Sequence, residues 1–87
     1  MSSPGPAEIE ATILRLLGDA GPGHSVGPGD AARALTEGTE WHLLMPAVRR
    51  VAVKLAVAGQ IVITRKGRPV DPNDFKGVYR LALPRQD

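Results

Sequence analysis

Hydrophobic positions follow a helical period in the first two thirds of the chain and a strand-like period after that. Apolar residues recur every three or four positions over Pro6–Ala20, which predicts a first helix with one buried face. Gly21-Pro22-Gly23 ends this helix, and we expect His24–Val26, between two glycine–proline breaks, to be extended. A short second helix is predicted over about Pro28–Thr36. Its apolar face is predicted to consist of Ala31, Ala34 and Leu35.

The longest amphipathic stretch runs from Trp41 to Gly59. Pro46 favours a separate turn over Trp41–Leu44, with the regular helix beginning near Met45. At about 100° per residue, one wide stripe of this helix is apolar and is predicted to face the core. The stripe comprises Trp41, Leu44, Val48, Val51, Ala52, Leu55 and Ala58. The opposite side carries His42, Pro46, Arg49, Arg50, Val53 and Val57, with Lys54 on the flank.

After Gly59 the hydrophobic period changes to two, which predicts strands. The first strand covers Gln60–Arg65, with Ile61 and Ile63 on one face and Val62 and Thr64 on the other. The second covers Val78–Leu83, with Tyr79, Leu81 and Leu83 facing inward and Arg80 outward. Between them, Lys66–Gly77 is rich in glycine, proline, asparagine and aspartate, so we predict a long hairpin connection that contains no further strand.

This order of elements predicts an α+β fold of the winged helix-turn-helix type, with three helices and a C-terminal two-stranded β-hairpin as the wing. We expect one domain over residues 6–84, a disordered N-terminal tail over residues 1–5 and a C-terminal tail over residues 85–87. The chain has no cysteine, so disulfides and thiolate zinc sites are excluded. No apolar run reaches the roughly 20 residues that a membrane span needs, and we expect a cytoplasmic protein.

Charge is distributed unevenly along the chain, although the net charge is only +2. Residues 1–41 hold two basic and six acidic side chains, whereas residues 42–87 hold nine basic and three acidic ones. Such a basic half is typical of a surface that meets a polyanion. Solubility alone is the competing explanation for the same charges.

Four segments of the sequence resemble a bacterial domain family of unknown function whose members are short winged-helix-like proteins. They lie at Gly21–Leu35, Trp41–Arg49, Ile61–Pro72 and Phe75–Gly77, and a Tyr-Arg-Leu-x-Leu strand follows them. The most specific segment is Ile-Thr-Arg-Lys-Gly-Arg-Pro-Val-Asp-Pro, within Ile61–Pro72. The resemblance implies a winged-helix fold and brings no established activity or catalytic residue.

Basic side chains on the third helix and the wing are the candidates for nucleic-acid binding. In a helix-turn-helix protein the second helix of the motif enters the major groove, while a wing follows the backbone or the minor groove. The predicted contacts are Arg49, Arg50, Lys54, Arg65, Lys66, Arg68 and Lys76. We favour duplex DNA over RNA, and a role in transcription regulation. No Asn, Gln, Ser or Thr lies between Met45 and Gly59, so only arginine–guanine contacts are available for reading bases.

The alternative is a protein–protein or dimerisation module without a nucleic-acid role. It would use an apolar strip on the exposed face of the third helix, formed by Pro46, Val53 and Val57. Catalysis is not expected, because His24 and His42 are the only imidazoles and the chain has no cysteine nucleophile and no phosphate-binding glycine motif. We therefore expect no metal, no cofactor, no small-molecule substrate and no membrane partner.

Overall fold

A computed structural model describes residues 4–84 of the chain. The α-helices are α1 (Pro6–Ala20), α2 (Pro28–Leu35) and α3 (Met45–Val57), and a 3₁₀ helix (Thr39–Leu44) precedes α3. The strands are β1 (Ser25–Val26), β2 (Val62–Arg65), β3 (Arg68–Pro69) and β4 (Arg80–Ala82). These elements confirm the α+β class. Residues 1–3 of the predicted N-terminal tail and all of the predicted C-terminal tail lie outside the described residues.

The helices follow the predicted bounds closely, because prolines and glycines mark their ends. Helix α1 covers the predicted range, with Pro6 at its first position. Helix α2 starts at Pro28, and the Asp30 carboxylate accepts a 2.9 Å hydrogen bond from the Gly27 N–H group just before it. The predicted break before Met45 is confirmed, since the residues before it form the 3₁₀ helix. None of the helices within residues 4–84 could cross a membrane, since they are too short or too polar.

The strands form one antiparallel sheet in the order β1-β4-β2-β3. The prediction of a two-stranded sheet is therefore wrong. Strand β1 pairs with β4, placing Val26 opposite Leu81, and β4 also pairs with β2, placing Ile63 opposite Leu81. Leu81 thus lies on β4, one of the two inner strands of the sheet.

Strand β3 lies within the Lys66–Gly77 connection, so the prediction that this connection contains no further strand is wrong. The strand pairs with β2 across a two-residue turn, with Arg65 opposite Arg68. Both turn residues have positive φ angles, 52° at Lys66 and 80° at Gly67. This is the backbone of a type I′ hairpin, whose twist matches that of the strands. The hairpin therefore presents Lys66 at its tip, at a position that usually holds Asn or Gly.

The hydrophobic core lies between the three helices and the inner face of the sheet. Ile61 and Ile63, which were predicted to share one face of the first strand, are both buried. On α2, Ala32 is buried and the predicted Ala34 is exposed, because this short helix packs against both α1 and α3. On α3, the predicted core residue Ala58 is exposed, since the helix ends at Val57. The fully buried large side chains are Ile9, Ile13, Leu17, Val48, Ile61, Ile63 and Leu81.

The segment from Val70 to Tyr79 folds back onto the body of the protein. The Val70 N–H group donates to the Ile63 carbonyl, extending the hairpin by one pair. A turn follows, in which the Asp71 carboxylate accepts a hydrogen bond from the Asn73 N–H group. Phe75 and Tyr79 are each only 7% exposed, with ring centroids 5.1 Å apart. The long connection between β3 and β4 is thus anchored in the core.

Candidate nucleic-acid interface

The seven predicted contact residues fall into two groups by exposure. Arg49 and Arg65 are partly buried, whereas the other five are exposed. The exposed group comprises Arg50, Lys54, Lys66, Arg68 and Lys76. Within residues 4–84, the only ion pair joins Arg33 to Asp30, at 3.9 Å. No carboxylate of the described chain therefore neutralises any of the seven at pairing distance.

Arg49 joins α3 to the segment that returns from the hairpin. Its Nη2 atom donates a 2.9 Å hydrogen bond to the Phe75 carbonyl, and its guanidinium lies 4.0 Å from the centroid of the Phe75 ring. The guanidinium also lies 5.7 Å from the Tyr79 ring. A planar guanidinium suits this combination of stacking and hydrogen bonding, which a lysine ammonium does not reproduce. The structure thus gives this predicted DNA contact a protein partner.

Arg65 makes a second connection to the same segment. Its Nε atom donates a 3.1 Å hydrogen bond to the Val78 carbonyl. Its guanidinium lies directly against Gly77, where a Cβ atom would be 2.8 Å from Nη2 of Arg65. Gly77 also has a φ of 85°, which side chains rarely adopt. A glycine therefore meets two requirements at position 77: its backbone angle and the space that Arg65 occupies.

These contacts form a continuous path from α3 to the tip of the β2–β3 hairpin. Arg49 reaches Phe75, the next residue is Lys76, and Arg65 reaches Gly77 and Val78. Arg65 is followed by Lys66 and lies opposite Arg68 in the hairpin. The structure therefore brings together five of the predicted residues: Arg49, Arg65, Lys66, Arg68 and Lys76.

Arg50 and Lys54 lie on the stripe of α3 next to this path. At about 100° per residue, Arg50 is about 100° and Lys54 about 140° around the helix from Arg49. Both are exposed, whereas the buried residues Val51, Ala52 and Leu55 face the core. The free stripe of α3 thus borders the side on which the returning segment packs.

The alternative apolar strip is less exposed than its helical position suggests. Val57 is 62% exposed and Pro46 is exposed, but Val53 is partly buried and packs against the core. Val53 is one turn from Arg49 on the same side of α3. Only two of the three predicted partner-binding residues are therefore open to solvent.

Phe75 and Gly77 were not among the residues predicted for the site. Both lie in the Phe-Lys-Gly motif, where an isolated aromatic next to a lysine and a glycine in a polar loop was the available signal.

The outward position predicted for Arg80 is confirmed, and this residue also joins β4 to β1. Its Nε atom donates to the Ser25 hydroxyl at 2.7 Å and its Nη2 atom to the Ser25 carbonyl at 3.0 Å. Arg80 therefore stabilises the sheet.

Tyr79 lies beneath Arg49 and has an unusual environment. Its hydroxyl is buried and has no hydrogen-bond partner in the part of the chain that the structure describes. Burial raises the pKa of Tyr79 above the ordinary value of 10.0, and the charge of Arg49 lowers it by less. The phenol is thus held in its neutral form.

We predict that Tyr79, the only tyrosine, ionises above pH 10.0 in the folded protein. Because the folded-state pKa exceeds the unfolded-state value, the stability contributed by Tyr79 is complete below about pH 10 and decreases as the pH rises through the folded pKa. Phenolate absorbance during an alkaline titration measures the midpoint, and Tyr79→Phe is the control. This variant should be at least as stable as the wild type at neutral pH, since it removes an unpaired buried hydroxyl. A midpoint at or below 10.0 would contradict the prediction.

Fold and site together define a small α+β domain with a basic surface on α3, the β2–β3 hairpin and the returning segment. The chain belongs to the DUF3253 family, a family of proteins of unknown function, whose model matches residues 6–84. A search of curated proteins finds no significant match to the chain.

Proposed function

We propose that this protein is a winged-helix domain that binds duplex DNA through α3 and the adjoining hairpin and returning segment. The order of elements fits this type of domain, since α1, β1, α2 and α3 come before the strands β2, β3 and β4. Strand β1 completes the sheet by pairing with β4. In this proposal α2 and α3 form the helix-turn-helix unit. The β2–β3 hairpin and the segment up to Tyr79 form the wing.

The observation that carries this proposal is the unpaired basic surface. Five exposed cations lie on α3, the β2–β3 hairpin and the returning segment, and no carboxylate of residues 4–84 pairs with them. Unpaired lysines and arginines on adjacent elements provide favourable contacts for phosphates, because each contact releases counterions from the DNA. Arg50 and Lys54 would enter the major groove on α3. Lys66, Arg68 and Lys76 would contact the backbone.

The free stripe of α3 predicts weak sequence discrimination. Of the predicted contacts on this helix, only Arg50 is an exposed arginine suited to a bidentate guanine contact. One such contact contributes about 1–3 kcal/mol of discrimination, so most of the affinity must come from phosphates. The bacterial origin rests on the sequence resemblance and stays a prediction. The cytoplasmic location and the regulatory role are separate predictions from the sequence.

A binding titration at several salt concentrations tests the proposal. With up to five phosphate contacts, the logarithm of the affinity should fall against the logarithm of salt concentration with a slope between about −2 and −4.5. A duplex RNA of the same sequence is the matched control, and it should bind more weakly because its major groove is too narrow to admit a helix. Affinity that does not depend on salt would reject the proposal and favour the protein-interaction module.

A further inference from the structure

The segment Phe75–Val78 lacks the backbone pairing that normally holds a loop. Apart from the hydrogen bonds inside helices and between strands, none of the backbone–backbone hydrogen bonds within residues 4–84 involves these four residues. Two arginine side chains bind its end carbonyls instead: Arg49 binds the carbonyl of Phe75 at 2.9 Å, and Arg65 binds that of Val78 at 3.1 Å. The conformation of the segment thus depends on two guanidinium groups from two other elements.

Lys76 lies between these two attachment points. Its preceding residue is held by Arg49 through stacking and a hydrogen bond, and its following residue, Gly77, lies against the guanidinium of Arg65. The Lys76 side chain itself is exposed. The backbone of this lysine is therefore fixed on both sides while its ammonium group is free to bind an anion.

We propose that Arg49 and Arg65 are positioning residues for Lys76, and that Lys76 is the phosphate contact of this segment. The inference rests on the duplex binding proposed above. A lysine on a loop without such support would have to be ordered on binding, at a cost in affinity. The two arginines remove this cost in the free protein. The sequence predicted both arginines as direct DNA contacts. In this proposal they instead support DNA binding by holding the loop that carries Lys76.

Affinity measurements on Arg49→Lys, Lys76→Ala and the double variant test this role. Losing one phosphate contact weakens duplex binding about eightfold in roughly 0.1 M salt and makes the salt slope shallower by about 0.9. Lys76→Ala should show this loss. Arg49→Lys keeps the charge but loses the planar group, and it should show the same loss of affinity and slope. The double variant should bind no more weakly than Lys76→Ala.

Two results would overturn the inference while leaving duplex binding intact. The first is an Arg49→Lys variant that binds within about twofold of the wild type. A positive charge at position 49 would then be enough for full affinity, which is the behaviour of a direct phosphate contact and not of a positioning residue. The second is additive loss, with the double variant weakened about 60-fold. A wild-type protein without salt-dependent binding would reject the proposed function and the inference with it. Arg65→Lys provides an independent second variant for the same comparison.

A measurement without DNA tests the same inference. Backbone amide order parameters report motion faster than nanoseconds, and rigid backbone gives values near about 0.85. The Lys76 and Gly77 amides should be rigid in the free wild type and more mobile in Arg49→Lys and Arg65→Lys. Unchanged order in both variants would show that the arginines do not position Lys76. Thermal unfolding of each variant confirms that the domain remains folded during these measurements.

Discussion

The variant Arg50→Gln, Lys66→Asn, Arg68→Gln is expected to bind duplex DNA at least about 300-fold more weakly than the wild type in about 0.1 M salt. The two lost phosphate contacts cost about 60-fold together, and the lost guanine contact of Arg50 costs about 1–3 kcal/mol more. The three side chains are exposed and make no ion pair within residues 4–84, so their removal leaves the core intact. Asparagine suits position 66, where φ is 52°. Titration of a labelled duplex at fixed salt measures the loss.

Arg15→Gln is the matched control for this variant. Arg15 is an exposed arginine on α1, in the acidic half of the chain, so its removal changes the net charge without touching the proposed interface. Its affinity for the duplex should stay within about twofold of the wild type, since no phosphate contact is lost. If Arg15→Gln and each single substitution of the variant weakened binding equally, net charge rather than a defined surface would account for the affinity.

Leu81→Ala should have the largest effect on stability. Leu81 is 0% exposed and lies on the inner strand β4, which has a neighbouring strand on each side. Truncating a buried leucine costs about 2–5 kcal/mol, from lost burial and the cavity that remains. A domain of this size has a free energy of unfolding of roughly 5–10 kcal/mol, so the variant loses a large part of it. Thermal unfolding should show a decrease in Tm of roughly 10–30 °C.

Leu43→Ala is the control for the same chemical change. Leu43 is 67% exposed on the 3₁₀ helix, so its truncation should change the free energy of unfolding by no more than about 0.5 kcal/mol. Comparable destabilisation by the two substitutions would mean that Leu81 does not occupy the centre of the core. Chemical denaturation compares the unfolding free energies of the two variants directly when both have the same m value, the slope of that free energy against denaturant concentration.

The helices could be predicted because local chemistry sets their limits. Pro6 and Pro28 start α1 and α2, and Pro46 separates the 3₁₀ helix from α3. The run of β-branched residues at Ile61–Thr64 similarly predicted a strand that places Ile61 and Ile63 on one face, and both residues are buried. In each case the determining residues lie within a few positions of the element that they define.

Features that depend on distant residues could not be predicted in this way. Strand β3 is only Arg68–Pro69, a pair with low strand propensity, and it forms because β2 provides the partner. The carbonyl bound by Arg49 belongs to a residue 26 positions further along the chain. The helical period shows only that Arg49 lies outside the buried stripe of α3. It cannot show whether a loop from a distant part of the chain packs against that arginine.

The two edges of the sheet determine how copies of this protein can meet. The outer strands β1 and β3 are each two residues long, and β3 contains Pro69, which has no N–H group to donate. Neither edge offers the row of free donors and acceptors that intermolecular strand addition requires. The domain should therefore resist fibril formation at high concentration, and we do not expect dimers to form by strand addition.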